Sequence, residues 1–205
     1  MLNSTGFDLW ADDYDKSVGL SDEDGTYPFA GYRDILGTIY RCILSSGSKN
    51  VLDIGFGTAV LAAQLYAQGC RIYGQDFSAR MIALAREKMP DASLYQGDFT
   101  QGLVPELAAQ QYDAIVATYS LHHLTDTQKV SFLTALTARL APAGCIYIGD
   151  VAFQTRAQLE QCCIQAGDKW DSDEIYFVYD ELKAQLPGLT FTPLSPCAGL
   201  LTLNA

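Results

Sequence analysis

Asn50-Val51-Leu52-Asp53-Ile54-Gly55-Phe56-Gly57-Thr58-Ala59 is the stretch on which the reading of this chain turns. Val51, Leu52 and Ile54 suit a strand buried on both faces, and the run stops on a glycine. Gly55 and Gly57 permit a tight turn and let the backbone come close to a ligand, and residues 58–68 then read as a helix. Strand, glycine turn and helix together open a parallel α/β sheet, which binds its ligands at the carboxyl ends of its strands. The spacing is G-x-G-x-A rather than the G-x-G-x-x-G of a dinucleotide loop. Asp53, two residues before the first glycine, is unwelcoming to a pyrophosphate and welcoming to a cationic amino group.

Outward from this stretch the elements alternate. Before it, Tyr32, Ile35, Leu36, Ile39, Tyr40, Ile43 and Leu44 keep the spacing of an amphipathic helix that starts after Pro28. After it, residues 70–75, 92–96, 112–120 and 145–151 read as further buried strands. Between them lie a helix capped by Ser78 and stopped by Pro90, and another opened by the capping box of Thr125 and Gln128. Residues 155–166 and 173–186 read as helices, and the tail offers two short strands near 189–193 and 198–203. The expected fold is therefore α/β: a Rossmann-like, mostly parallel sheet of seven strands with helices on both faces. A short aromatic helix over 7–16 and the acidic loop that follows it form a separate N-terminal segment, residues 1–27, ahead of one domain over 28–205.

Functional residues should then stand just after each strand. Asp76 follows the second, where a carboxylate accepts from both hydroxyls of a ribose, whichever nucleotide-like cofactor carries it. Capping the next helix is its plainer role, although Ser78 already suits that task. Phe77 beside it packs on an adenine or simply joins the core. Asp98 follows the third strand, either accepting from an adenine amino group or closing an Asx-turn, and the Phe99 backbone N–H donates to a ring nitrogen. The fourth strand ends in Thr118-Tyr119-Ser120-Leu121-His122-His123, which would flank the reacting group.

The ordered series DIGFGTA, QDFSARMIALAR, QGDF and YDAIVATYSLHHL resembles the motifs of class I S-adenosylmethionine (SAM)-dependent methyltransferases. With the opening FDLWADDYDKSV, the chain is similar to a family of small uncharacterised bacterial SAM-dependent methyltransferases over most of its length, loosening after about residue 155. The resemblance implies SAM as methyl donor, with S-adenosylhomocysteine (SAH) as product. It implies contacts from Gly55, Asp76 and Asp98, supported by Asp53, Gly57, Phe77, Phe99 and Thr118. Trp10 and Tyr14, one helical turn apart, share a face that either packs as ordinary core or closes as a lid over the cofactor; the resemblance favours the lid, with Tyr14 reaching the methionine part. Ala59 stands where the family usually has a third glycine, and Asp76 where relatives often carry Glu.

Methyl transfer needs alignment and exclusion of water, and a base only where the acceptor must lose a proton. His122 and His123, the only histidines, stand at the right rim for a base, with His123 nearer the following helix. Local hydrogen bonding is the plainer role for both, and no third ligand makes them a metal site. A nicotinamide-dependent oxidoreductase and a non-catalytic SAM-binding protein on the same fold are the competing classes.

Composition narrows the partners. A formal charge of −11, from 24 acidic and 13 basic residues, repels nucleic-acid backbones and anionic lipid, and no Lys/Arg cluster offsets it. A small, neutral or cationic methyl acceptor fits better. No apolar run approaches the ~20 residues of a membrane span. The six cysteines form no CxxC pair, so reduced thiols and a cytoplasmic location are expected. Nothing in the sequence specifies the oligomeric state.

Overall fold

A computed structural model describes residues 26–205. The helix predicted over 7–16, Trp10, Tyr14 and the acidic loop at 22–24 lie outside the described residues. The chain runs through α1 (Tyr32–Ser45), β1 (Asn50–Ile54), α2 (Val60–Ala67), β2 (Arg71–Asp76), α3 (Ala79–Lys88) and β3 (Ser93–Gln96). Then come α4 (Pro105–Ala108), β4 (Tyr112–Thr118), α5 (Asp126–Thr137), β5 (Leu140–Phe153) and α6 (Arg156–Ala166). The last elements are β6 (Phe177–Val178), α7 (Tyr179–Leu182), β7 (Thr190–Pro193) and β8 (Ala198–Asn204).

Seven strands lie side by side in the order β3-β2-β1-β4-β5-β8-β7, and the short β6 pairs with the end of β5. Strands β1 to β5 are parallel, whereas β8 runs antiparallel to both β5 and β7. The strand order reverses between β1 and β4, which opens the crevice where such sheets take ligands. Alternation along β1 divides the core in two. Val51 joins Ile35, Ile39, Leu61 and Ile82 on one face, and Leu52 and Ile54 join Phe132, Leu133 and Leu136 on the other.

Local signals hold where side chains cap or fill. Ser78 Oγ accepts from the Met81 N–H at 3.1 Å, and Thr125 and Gln128 form the capping box ahead of α5. Glycine also lets α1 settle on the sheet: a Cβ at Gly149 would stand 2.2 Å from Ile35 Cγ2.

The helix predicted over 173–186 is the main correction. That segment instead supplies β6, then the single turn of α7. Phe177 and Val178 are buried against β5, and Ile175 donates its N–H to the His122 carbonyl at 2.8 Å. Long-range pairing here overrides a local preference that favours helix. The short helix α4 was also not foreseen. Tyr27, at the expected edge of the N-terminal segment, packs into the body, its ring stacked on Trp170 at 5.0 Å.

Candidate active site

The carboxyl ends of β1 to β4 open into one cleft, a cavity of about 360 Å³. Its floor is the glycine turn. Gly55 and Gly57 have φ of 66° and 52°, left-handed values that glycine adopts without strain. The two differ in what limits them: a Cβ at Gly55 would stand 2.6 Å from Ser120 Cβ, while one at Gly57 would meet nothing within 4 Å. Ser120 is itself tied down, its hydroxyl donating to the Ile54 carbonyl at 2.9 Å. Ala59, in place of a third glycine, also takes a left-handed φ of 60° ahead of α2.

Asp53 stands beneath this turn, buried, and its Oδ1 has no hydrogen-bond partner among the described residues. Burial, with the Asp76 carboxylate nearby, pushes its pKa up to about 7. A buried acceptor without a donor costs stability, and a cation placed there would recover it. Asp76 holds the turn from the side: Oδ2 accepts from the Gly57 N–H at 2.9 Å and Oδ1 from the Ser78 N–H at 2.8 Å. It therefore shapes the loop while facing the cavity, so capping and ligand roles coexist on one side chain.

Phe77, Asp98, Phe99 and Thr118 also line the cavity. Asp98 closes the turn that its plainer role predicts, accepting from the Thr100 N–H at 2.9 Å. The Phe99 ring is largely core, stacked against Phe132 with centroids 6.2 Å apart. Phe29 and Tyr32, which the sequence did not single out for the site, form one wall with Tyr119.

The far end of the cleft belongs to the histidines. Adjacent residues on a strand or straight helix point apart, but Leu121–His123 is a 3-10 turn, and the two rings sit with centroids 4.3 Å apart. His122 Nδ1 donates to Asp150 Oδ1 at 2.7 Å, and Nε2 faces Glu174 Oε1 at 3.4 Å. Burial disfavours the His122 cation, but the carboxylates of Asp150 and Glu174 outweigh it and raise the pKa above its ordinary value. His123 is the opposite case: burial and the neighbouring His122 lower it to about 4. Glu174 is held in turn by the Tyr176 hydroxyl, which donates to Oε2 at 2.7 Å.

Glu174 and Asp150 escaped the sequence reading, Glu174 because its segment looked helical and Asp150 because it sits inside a buried strand. An acid at the end of the fifth strand was the available signal. With Glu174, the histidines do have a third potential ligand, all three atoms lying within 4.8 Å. The bonds from His122 to Asp150 and towards Glu174 account for that grouping as an ion-pair network. The sequence does contain the Tyr-x-x-x-Lys spacing of a nicotinamide-enzyme proton relay, at Tyr179 and Lys183, where none was expected. It lies outside the cleft, with Tyr179 donating to the Leu189 carbonyl and Lys183 paired with Asp180.

Comparison with known proteins agrees with this geometry. A methyltransferase-domain family model matches residues 51–144. An uncharacterised methyltransferase of Anoxybacillus flavithermus is 34% identical over 200 residues, covering 92% of this chain and 91% of its own. Among solved structures, magnesium protoporphyrin IX methyltransferase of Synechocystis PCC 6803 with bound SAH has a TM-score of 0.70 at 18% identity, covering 98% of this chain and 95% of its own. DhpI in complex with SAM has a TM-score of 0.68 at 22% identity, covering 96% and 92%. The chain belongs to the class I SAM-dependent methyltransferases. Neither a nicotinamide-dependent oxidoreductase nor a non-catalytic binding protein gains support from the fold or the relatives. No helix of the described residues is long and apolar enough to cross a membrane.

Proposed function

We propose that the enzyme methylates a small molecule bound at the His122–Glu174 end of the cleft, with SAM held across the ends of β1 to β4. The observation that carries this is the buried, unpartnered Asp53 Oδ1 beneath a glycine turn that leaves room above Gly57. Asp53 takes the SAM ammonium, Asp76 the ribose hydroxyls, and Asp98 with the Phe99 N–H the adenine. Phe77 packs on the adenine ring. The Gly55–Gly57 backbone and Thr118 line the path to the methyl group, and Tyr14 reaches the methionine part from the N-terminal segment. SAM supplies an electrophilic methyl on a sulfonium whose charge falls as the methyl leaves.

The remaining work falls to the protein. The aromatic wall of Phe29, Tyr32 and Tyr119 excludes water, which favours transfer between aligned groups. His122 is the better-supplied of the two histidines for accepting a proton: Asp150 fixes its Nδ1–H, leaving Nε2 towards the cleft. His123, its pKa lowered to about 4 by burial and by His122, shapes the rim.

Titration calorimetry with SAM on Asp76→Ala tests the cofactor assignment. Loss of two charge-assisted hydrogen bonds should weaken binding by about 2–4 kcal/mol. Unchanged affinity in a folded variant would remove Asp76 from the cofactor site.

A further inference from the structure

The acceptor end of the cleft has a charge and a lining that select among small molecules. From these we infer that the methyl acceptor is an amine, bound as its ammonium ion against Glu174 with Asp171 at the rim. This rests on the methyltransferase reading of the cleft. Five carboxylates line the cavity (Asp53, Asp76, Asp98, Asp171 and Glu174), and among the described residues no Lys or Arg does. The first three stand at the ends of β1 to β3, where they serve SAM. Asp171 and Glu174 come from the segment between α6 and β6, on the side of His122 and His123. A phosphate or carboxylate acceptor entering there would meet like charge, with no Lys or Arg among the described residues of the lining to offset it.

Glu174 is built to hold a cation. It is only 22% exposed at its side chain, one oxygen is fixed by the Tyr176 hydroxyl, and the other looks toward His122. Tyr176 is itself bonded to the Tyr27 hydroxyl and packed edge-on to Trp170 at 4.8 Å, so the carboxylate cannot easily swing away. An orientation fixed before binding spares the ligand that ordering cost. Another wall of the same cavity is a cluster of three rings. Phe29 and Tyr32 lie 5.1 and 5.3 Å from Tyr119, centroid to centroid, and such ring faces attract an organic cation. A neutral acceptor would gain neither the charge–charge attraction to Glu174 nor the cation–π attraction of the rings.

The chemistry closes as well. The bound ammonium gives one proton to His122 Nε2, which frees the nitrogen lone pair. That pair forms the N–C bond to the methyl carbon as the S–C pair stays on sulfur. The sulfonium becomes the thioether of SAH, and the product leaves as the methylated ammonium.

Three matched probes test the inference on the full chain loaded with SAH: 2-phenylethylammonium, 2-phenylethanol and 3-phenylpropanoate, by calorimetry at pH 7.5. The ammonium should bind at least about tenfold more tightly than either partner. Glu174→Gln should bring it within about threefold of the alcohol, and Asp171→Asn should narrow the gap partly, both with SAH affinity retained. If Glu174→Gln does not fold, the wild-type ranking and Asp171→Asn decide alone. Equal or tighter binding of the alcohol or carboxylate, no binding of any probe, or a preference that survives both substitutions would overturn the amine. Loss of SAH binding by the unmodified protein would instead overturn the cofactor cleft itself.

Discussion

Asp53 is the residue whose cost and use are most directly linked. Its carboxyl is raised to about 7 in the fold, from 3.8, because burial and Asp76 both oppose its charge. A group raised in this way stabilises the fold at low pH, and that contribution is lost as pH climbs from about 4 through 7. Asp53→Asn should therefore melt higher than the parent without ligand at pH 8, by roughly 2–4 °C for each kcal/mol relieved, and show no such difference near pH 4. SAM affinity should behave in the opposite sense. The parent should bind more tightly as pH rises through about 7, when the carboxylate forms, and the Asn variant should bind weakly with a flat profile. Calorimetry at pH 6 and 8 on both proteins checks this, and a parent profile as flat as the variant's would sink it. His122 supplies the second test at this scale. Burial lowers its pKa, but Asp150 and Glu174 together raise it, with His123 and Lys129 as the remaining charges around it. Turnover should accordingly rise with pH along a limb above the ordinary histidine value of about 6.5. Glu174→Gln should move that limb down, and His122→Asn should cut turnover by roughly 10²–10⁴ with SAM affinity intact. His123→Asn should leave the limb where it is; a limb that follows His123 instead would reassign the base.

At the scale of elements, the cleft depends on how closely α1 lies on β5. Gly149 is where they meet, since its missing side chain leaves room for Ile35 Cγ2 and Ile39 Cδ1. Gly149→Ala should lift the helix and cost about 1–3 kcal/mol, seen as a lower melting temperature. Phe29, in the turn that leads into α1, and Tyr32 at its start line the cleft, so SAM affinity should fall with it. Unchanged melting in that variant would show that α1 is not held by this contact. The segment after α6 follows the same logic. Its helix-forming residues yield to pairing with β5, and that pairing delivers Glu174 to His122.

For the molecule as a whole, the open question is what residues 1–25 contribute. The proposal that they close over SAM, with Trp10 and Tyr14 facing the cofactor, makes a clear demand. The body begins no later than Tyr27, which packs on Trp170 and Tyr176. Removing residues 1–25 should therefore leave a domain with nearly the parent melting temperature, while SAM affinity and turnover both drop. If the truncated chain fails to fold, Trp10 and Tyr14 belong to the core instead.

The alternation of strands and helices, the glycine turn and the acids at successive strand ends were all legible in the sequence. Each depends on nearest neighbours along the chain: periodicity of apolar residues, turn chemistry and capping. Asp53, Asp76 and Asp98 could be placed because a parallel sheet puts every strand end on one side. The acceptor half of the cleft could not be read in this way. Asp150 lies 28 residues from His122 and Glu174 a further 24 beyond it, so nothing local marks them as partners. Pairing of β4 with β5 brings Asp150 to His122 and pairing of β6 with β5 brings Glu174, and these carboxylates raise the pKa of His122 while burial and His122 lower that of the adjacent His123. Sequence fixes what local chemistry each segment carries, whereas contacts across the sheet decide which charges must share one low-dielectric site.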